Sequence, residues 1–80
     1  MDWRDVIGSN PDVLSGKPAV IGTRLSVEFV LGLFASGFSE AEVLENYPQL
    51  TPQALRAVFA FGAQCISDAA ANHLAATATR

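Results

Sequence analysis

The chain has 80 residues, of which 50% are hydrophobic and 16% charged, with a net charge of −3 and a single cysteine. That length allows one domain, near the size at which a single core barely suffices, and the acidic balance speaks against a dedicated nucleic-acid or anionic-membrane binder, which needs clustered cations. One cysteine, Cys65, excludes an internal disulfide. It fits a reducing, cytoplasmic setting, and neither a signal peptide nor an apolar run of the roughly 20 residues that span a bilayer is visible.

Along residues 1 to 25, Gly8, Asn10-Pro11, Gly16, Pro18 and Gly22 exclude long helices. Short apolar pieces at Val6-Ile7 and Ala19-Val20-Ile21 predict a two-stranded ribbon, which is marginal alone and has to lean on helices or on another chain. Trp3 is expected to anchor that ribbon.

Three helix starts follow, each with capping chemistry. Ser26 caps a helix from Val27, with Leu25 and Val30 placed as a hydrophobic staple. Ser39 caps a second helix, Glu42 completes a capping box, and Phe38 staples to Val43. Thr51 caps a third, with Pro52 at its first position and Leu50 stapling to Leu55. Gly37 stands where a left-handed residue ends the first helix.

The first helix is apolar on most of its circumference (Val27, Phe29, Val30, Leu31, Leu33, Phe34), which predicts a central helix buried on several sides. In the third helix the stripe Leu55, Val58, Phe59, Gly62, Cys65, Ile66 predicts core contact as far as Ile66. Phe61 falls on the flank of that stripe and is the residue expected at an interface. A domain over residues 1–66 results, followed by an alanine-rich segment, 67–80, read as a helical extension or a flexible tail. A chain this short cannot hide so much apolar surface, so an exposed patch and a homodimer are expected.

The run Gly16-Lys17-Pro18-Ala19-Val20-Ile21-Gly22-Thr23-Arg24-Leu25-Ser26-Val27 is too specific in composition for a passive linker. With Asn10-Pro11-Asp12 before it, and Gly37-Phe38-Ser39 and Tyr47-Pro48-Gln49-Leu50-Thr51 after it, the sequence resembles the domain-of-unknown-function family numbered 433. These are small bacterial and archaeal proteins classed as antitoxins. The resemblance spans residues 1 to 66, and Ser26 departs from it where family members usually carry proline. It implies a mainly α, homeodomain-like three-helix fold with a helix-turn-helix, and an antitoxin that binds and silences a cognate toxin, a PIN-like nuclease with a carboxylate-built metal site.

The candidate residues differ in the chemistry they offer. Lys17 and Arg24 flank the glycine-rich run, and Gly22 and Thr23 could offer backbone N–H groups to an anion. Alternatively, Arg24 pairs with a local carboxylate such as Glu28 while the glycines serve turns. A third use is recognition of an acidic partner surface. Lys17, Arg24 and Phe61 are therefore the candidate partner-binding residues. For DNA, the start of the third helix offers Thr51, Gln53 and Arg56, but Glu40, Glu42 and Glu45 precede them with the wrong sign for phosphates. Cys65, on the core stripe, is expected to be inert packing, and His73 lacks ligand-spaced partners, so no metal and no cofactor are expected. No nucleophile–base set is visible, hence no enzyme. The expected function is toxin neutralisation. The alternatives are a dimeric helix-turn-helix transcriptional regulator and a non-catalytic oligomeric structural module.

Overall fold

A computed structural model describes residues 2–78, with side chains as far as residue 71. The mainly α expectation holds: a small ribbon is followed by three helices, α1 (Val27–Ala35), α2 (Glu40–Asn46) and α3 (Pro52–Ala78). The ribbon pairs β1 (Ile7–Gly8) with β2 (Ala19–Val20) antiparallel, Ile7 opposite Val20 and Gly8 opposite Ala19.

Every predicted cap forms. The Ser26 hydroxyl accepts the Phe29 N–H at 3.0 Å. Ser39 accepts from Glu42 N–H at 3.1 Å while the Glu42 carboxylate accepts from Ser39 N–H at 3.0 Å, the reciprocal box. The Thr51 hydroxyl accepts the Ala54 N–H at 3.0 Å. Gly37 takes φ +101°, and α1 closes as a Schellman motif: Phe38 N–H reaches the Leu33 carbonyl and Gly37 N–H the Phe34 carbonyl.

The core gathers Ile7 and Val20 of the ribbon, Val27, Val30 and Leu33 of α1, Val43 of α2, Leu50, and Ala54, Leu55, Ala57 and Val58 of α3. Its four largest fully buried side chains, Val30, Val43, Leu55 and Val58, tie all three helices together. Burying each such side chain stabilises the fold by roughly 1.5–3 kcal/mol, so the N-terminal part of α3 is its main anchor.

Two expectations about helix faces need correction. Helix α1 is buried along Val27, Val30 and Leu33 only; Phe29 is exposed and meets Tyr47 edge-on at 5.5 Å. It lies against the domain on one side because α2 and α3 both pack on that side. The α3 stripe also leaves the core earlier than Ile66: Val58 is fully buried, whereas Phe59 and Cys65 are exposed and Ile66 is 72% exposed. For Cys65 and Ile66 the reason is the start of α1. The two helices run antiparallel, with the Phe34 ring tilted against Phe59 at 5.0 Å and Leu31 beside Gly62. Val27 then falls level with Cys65 and Ile66. Past that level α1 has no residues left to cover α3.

Helix α3 continues beyond the domain as an overhang to Ala78, so residues 67–78 take the helical alternative; residues 79–80 lie outside the described residues. At about 1.5 Å per residue the 27 residues of α3 span about 40 Å, most of the molecule's 49 Å long axis.

Candidate functional site

The glycine-rich run folds into a locked loop between the ribbon and α1. Thr23 N–H donates to the Val20 carbonyl at 3.0 Å with Gly22 at φ +85°, a type II turn whose third position needs glycine. The Thr23 hydroxyl donates to the same carbonyl at 2.8 Å and accepts the Leu25 N–H at 3.0 Å. Val20 N–H bonds the Leu25 carbonyl, and Val27 N–H, an orphan donor of the first turn of α1, bonds the Pro18 carbonyl at 2.9 Å. Thr23 therefore uses its N–H to close its own turn. An anion cradle at Gly22-Thr23 loses that donor, and here the glycines serve turns.

This closed loop presents Ile21 at its tip, 60% exposed. One edge of that side chain rests over Gly8, where an added Cβ would come within 3.3 Å of Ile21 Cγ1. Arg24 and Lys17 are exposed to either side. The Arg24–Glu28 pair does not form: among the described residues the ion pair is Arg4–Asp2 at 3.4 Å, in the segment that precedes β1. Lys17 also edges a cleft of about 240 Å³ between the ribbon and the Asn10–Val13 turn. The surface is thus one apolar tip with two cations beside it in sequence, neither of which is within ion-pair distance of a carboxylate among the described residues.

The turn sequence before Lys17 is strained. Leu14 and Ser15 both hold φ near +55° (52° and 57°) and Gly16 follows at +84°, a left-handed conformation that costs a non-glycine residue about 1–2 kcal/mol. An Asx turn, in which the Asn10 side chain accepts the Asp12 N–H at 2.9 Å, opens the segment. Bonds from Gly16 N–H to Val13 O and from Lys17 N–H to Leu14 O close it.

A second surface lies on the far side of Lys17. A groove of about 450 Å³ runs between the start of α1 and α3, walled by Pro18, Val27 and Leu31 on one side and Phe61, Gly62, Cys65 and Ile66 on the other, with Lys17 and Glu28 at its rim. Phe61 reaches this groove, but it is also half-buried and meets Trp3 edge-on at 4.9 Å. Its role is shared: it anchors the N-terminal 3₁₀ turn, Trp3–Asp5, and it lines the groove. Cys65 stands in the groove wall and is exposed, which corrects its assignment to core packing.

The DNA candidates do not converge into a reader. The Thr51 hydroxyl is occupied by its cap, and Gln53 and Arg56 are exposed on α3 beyond an exposed acidic α2. Glu42 is held ionised there: the Ser39 backbone N–H, and then its hydroxyl, pull the carboxyl below its ordinary value. Among the described residues no three His, Cys, Asp or Glu side chains gather as a metal site, and His73 falls outside the described side chains. No described helix is long and apolar enough to cross a membrane.

Residues 7–62 match the family described as protein of unknown function (DUF433). The chain belongs to the DUF433 family. Over 53 residues it is 40% identical to the uncharacterized protein y4eO of Sinorhizobium fredii, a match that takes in 66% of this chain but 24% of the relative. It is also similar to the crystal structure of a DUF433 member from Anabaena variabilis, at 28% identity and a TM-score of 0.75, covering 81% of this chain and 64% of that one. The chain thus spans about a quarter of the length of the curated relative it matches and just under two thirds of the solved one.

Of the site residues that sequence reasoning selected, the fold brings Lys17 and Arg24 to one loop and puts Phe61 on the separate groove. Ile21 was missed. Strand alternation does not mark it, since Ala19 and Val20 are both buried; the turn closed by the Thr23 N–H on the Val20 carbonyl sets it outward.

Proposed function

We propose that this DUF433 protein is a non-catalytic binding module acting as an antitoxin, and that it neutralises a cognate toxin by docking the Ile21–Arg24 turn on it. One observation carries the reading: Lys17 and Arg24, two of five cations in a net-negative chain, flank an exposed Ile21 on a turn fixed by internal hydrogen bonds. A turn already ordered loses little entropy on binding. Guanidinium and ammonium groups without local partners suit a carboxylate-rich surface, such as the metal site of a PIN-like nuclease. Burying Ile21 on the toxin would add apolar contact at the centre of that charged frame.

The regulator alternative gains nothing comparable, since affinity for DNA rises with the number of phosphates that cations neutralise and Arg56 is the one cation at the start of α3. The test is co-expression with the product of the adjacent gene. Relief of that product's toxicity, lost in Ile21→Asp while the fold is kept, is the expected result. An adjacent product that stays toxic beside the wild-type chain removes the antitoxin reading. A sequence-selective complex of the isolated chain with its own promoter would favour the regulator.

A further inference from the structure

We propose that the groove between α1 and α3 seats a second copy of this chain, the α3 overhang of each copy lying in the groove of the other about a two-fold axis. Beyond Ile66 the helix runs on through residue 78, about 18 Å at 1.5 Å per residue, past the point where α1 can cover it. An isolated helix of that length is marginal in water, and most helical stability comes from tertiary packing. At the level where α1 begins, the wall holds Ile66, 72% exposed, beside Cys65 and Leu31.

A second copy answers both features at once, because it brings a helix for this groove and a groove for this helix. That reciprocity is the property of a two-fold interface. Charge permits it. The groove rim carries one residue of each sign, Lys17 and Glu28, and residues 67–71 of the overhang hold a single charge, Asp68, so no cluster of like charge opposes the pairing.

The area suits a weak, concentration-dependent dimer. A helix about 10 Å wide laid along about 18 Å, once in each direction, covers roughly 360 Å² per protomer in projection. Accessible area exceeds its projection, yet the contact stays below the roughly 800 Å² per partner of a standard stable interface. The Ile21–Arg24 turn lies outside this groove and stays free for a different protein, so failure of the antitoxin reading leaves the dimer standing, and the reverse.

Sedimentation equilibrium of the full chain decides it, with two variants that add the same charge to exposed positions of α3. Ile66→Asp puts a carboxylate in the groove wall. Ala60→Asp puts one on a residue that neither lines the groove nor belongs to the overhang. Both positions are exposed, so the fold does not depend on them. We expect a dimer at tens of micromolar for the wild type and for Ala60→Asp, and a weakening of tenfold or more for Ile66→Asp.

Maleimide labelling of Cys65 supplies a second reading. Its rate should fall several-fold as wild-type protein is concentrated into the dimer range, and should stay constant in Ile66→Asp. A monomeric wild type, an Ile66→Asp that remains dimeric, or a labelling rate independent of concentration each overturns the proposal.

Discussion

The contact between Trp3 and Phe61 fastens the N-terminal segment to α3, and truncating Phe61 to alanine measures it. The ring is half-buried and meets the indole edge-on, centroids 4.9 Å apart and planes at 74°. Removing it uncovers on the order of 100 Å² of apolar surface, about 2.5 kcal/mol at 25 cal/mol per Å². The edge-on pairing adds about 0.5–1.5 kcal/mol. Because one side of Phe61 opens on the groove, solvent fills the space and the penalty of a sealed cavity is not added in full. A total of about 3–4 kcal/mol follows, at the lower end of the range for a fully buried phenylalanine, and it should lower the melting temperature by about 12–30 °C in a domain this small. The assay is thermal unfolding by far-ultraviolet circular dichroism, made in the Ile66→Asp background so that self-association does not enter. A cycle with Trp3→Ala should give a coupling of about 1 kcal/mol, and the fluorescence of the chain's single tryptophan should shift to longer wavelength in Phe61→Ala. A drop under about 3 °C (below 1 kcal/mol on the same scale), or additive single effects, would show that the N-terminal segment is not fastened there. Loss of function in Phe61→Ala would therefore report stability and groove together, which makes Arg24 and Ile21 the cleaner probes of toxin binding.

Ser39→Ala removes the reciprocal box at α2 and should cost about 1 kcal/mol, read as a lower melting temperature; an unchanged one would contradict the cap. Glu42 has its folded pKa below the ordinary 4.5 because Ser39 N–H and hydroxyl stabilise the carboxylate. Its contribution is therefore present above that ordinary value and lost as pH falls through the lowered one. Glu42→Gln should shallow the acid limb of a stability–pH curve, leaving the part due to Asp2, whose pKa is likewise lowered, first by the Arg4 backbone N–H; an unchanged limb would refute the box as its source. Ser15→Gly relieves an exposed residue held at φ +57° and should stabilise the chain by up to about 1 kcal/mol once the entropy of glycine is set against the relief. A lower melting temperature would mean that the left-handed turn is not strained.

The caps were legible because capping is local. Ser26, Ser39 and Thr51 each reach a backbone N–H three residues on, and Gly37 needs only its own φ, so four element boundaries could be read from adjacent residues. The ribbon was legible for a similar reason, with glycine and proline marking its ends. The end of the α3 stripe was not. Cys65 and Ile66 keep the period of Leu55 and Val58, and what exposes them is the point at which α1, nearly forty residues earlier, begins. Leu14 and Ser15 carry no residue signature for positive φ; the closure of the 10–17 segment imposes it. At the site, the two cations were visible as a cluster, but that Arg24 lacks Glu28 as a partner and that Ile21 stands outward depended on the hydrogen bonds of the turn.

Direct binding tests the central claim, that the Ile21–Arg24 turn recognises an acidic partner protein. Titration calorimetry of the purified product of the adjacent gene into this protein, wild type against Arg24→Ala, makes the comparison at one salt concentration. A charge-assisted contact contributes about 1.5–3 kcal/mol, so Arg24→Ala should weaken the complex about ten- to a hundredfold with its melting temperature unchanged. Equal affinity for the two proteins, or no heat from the wild type, would contradict the account.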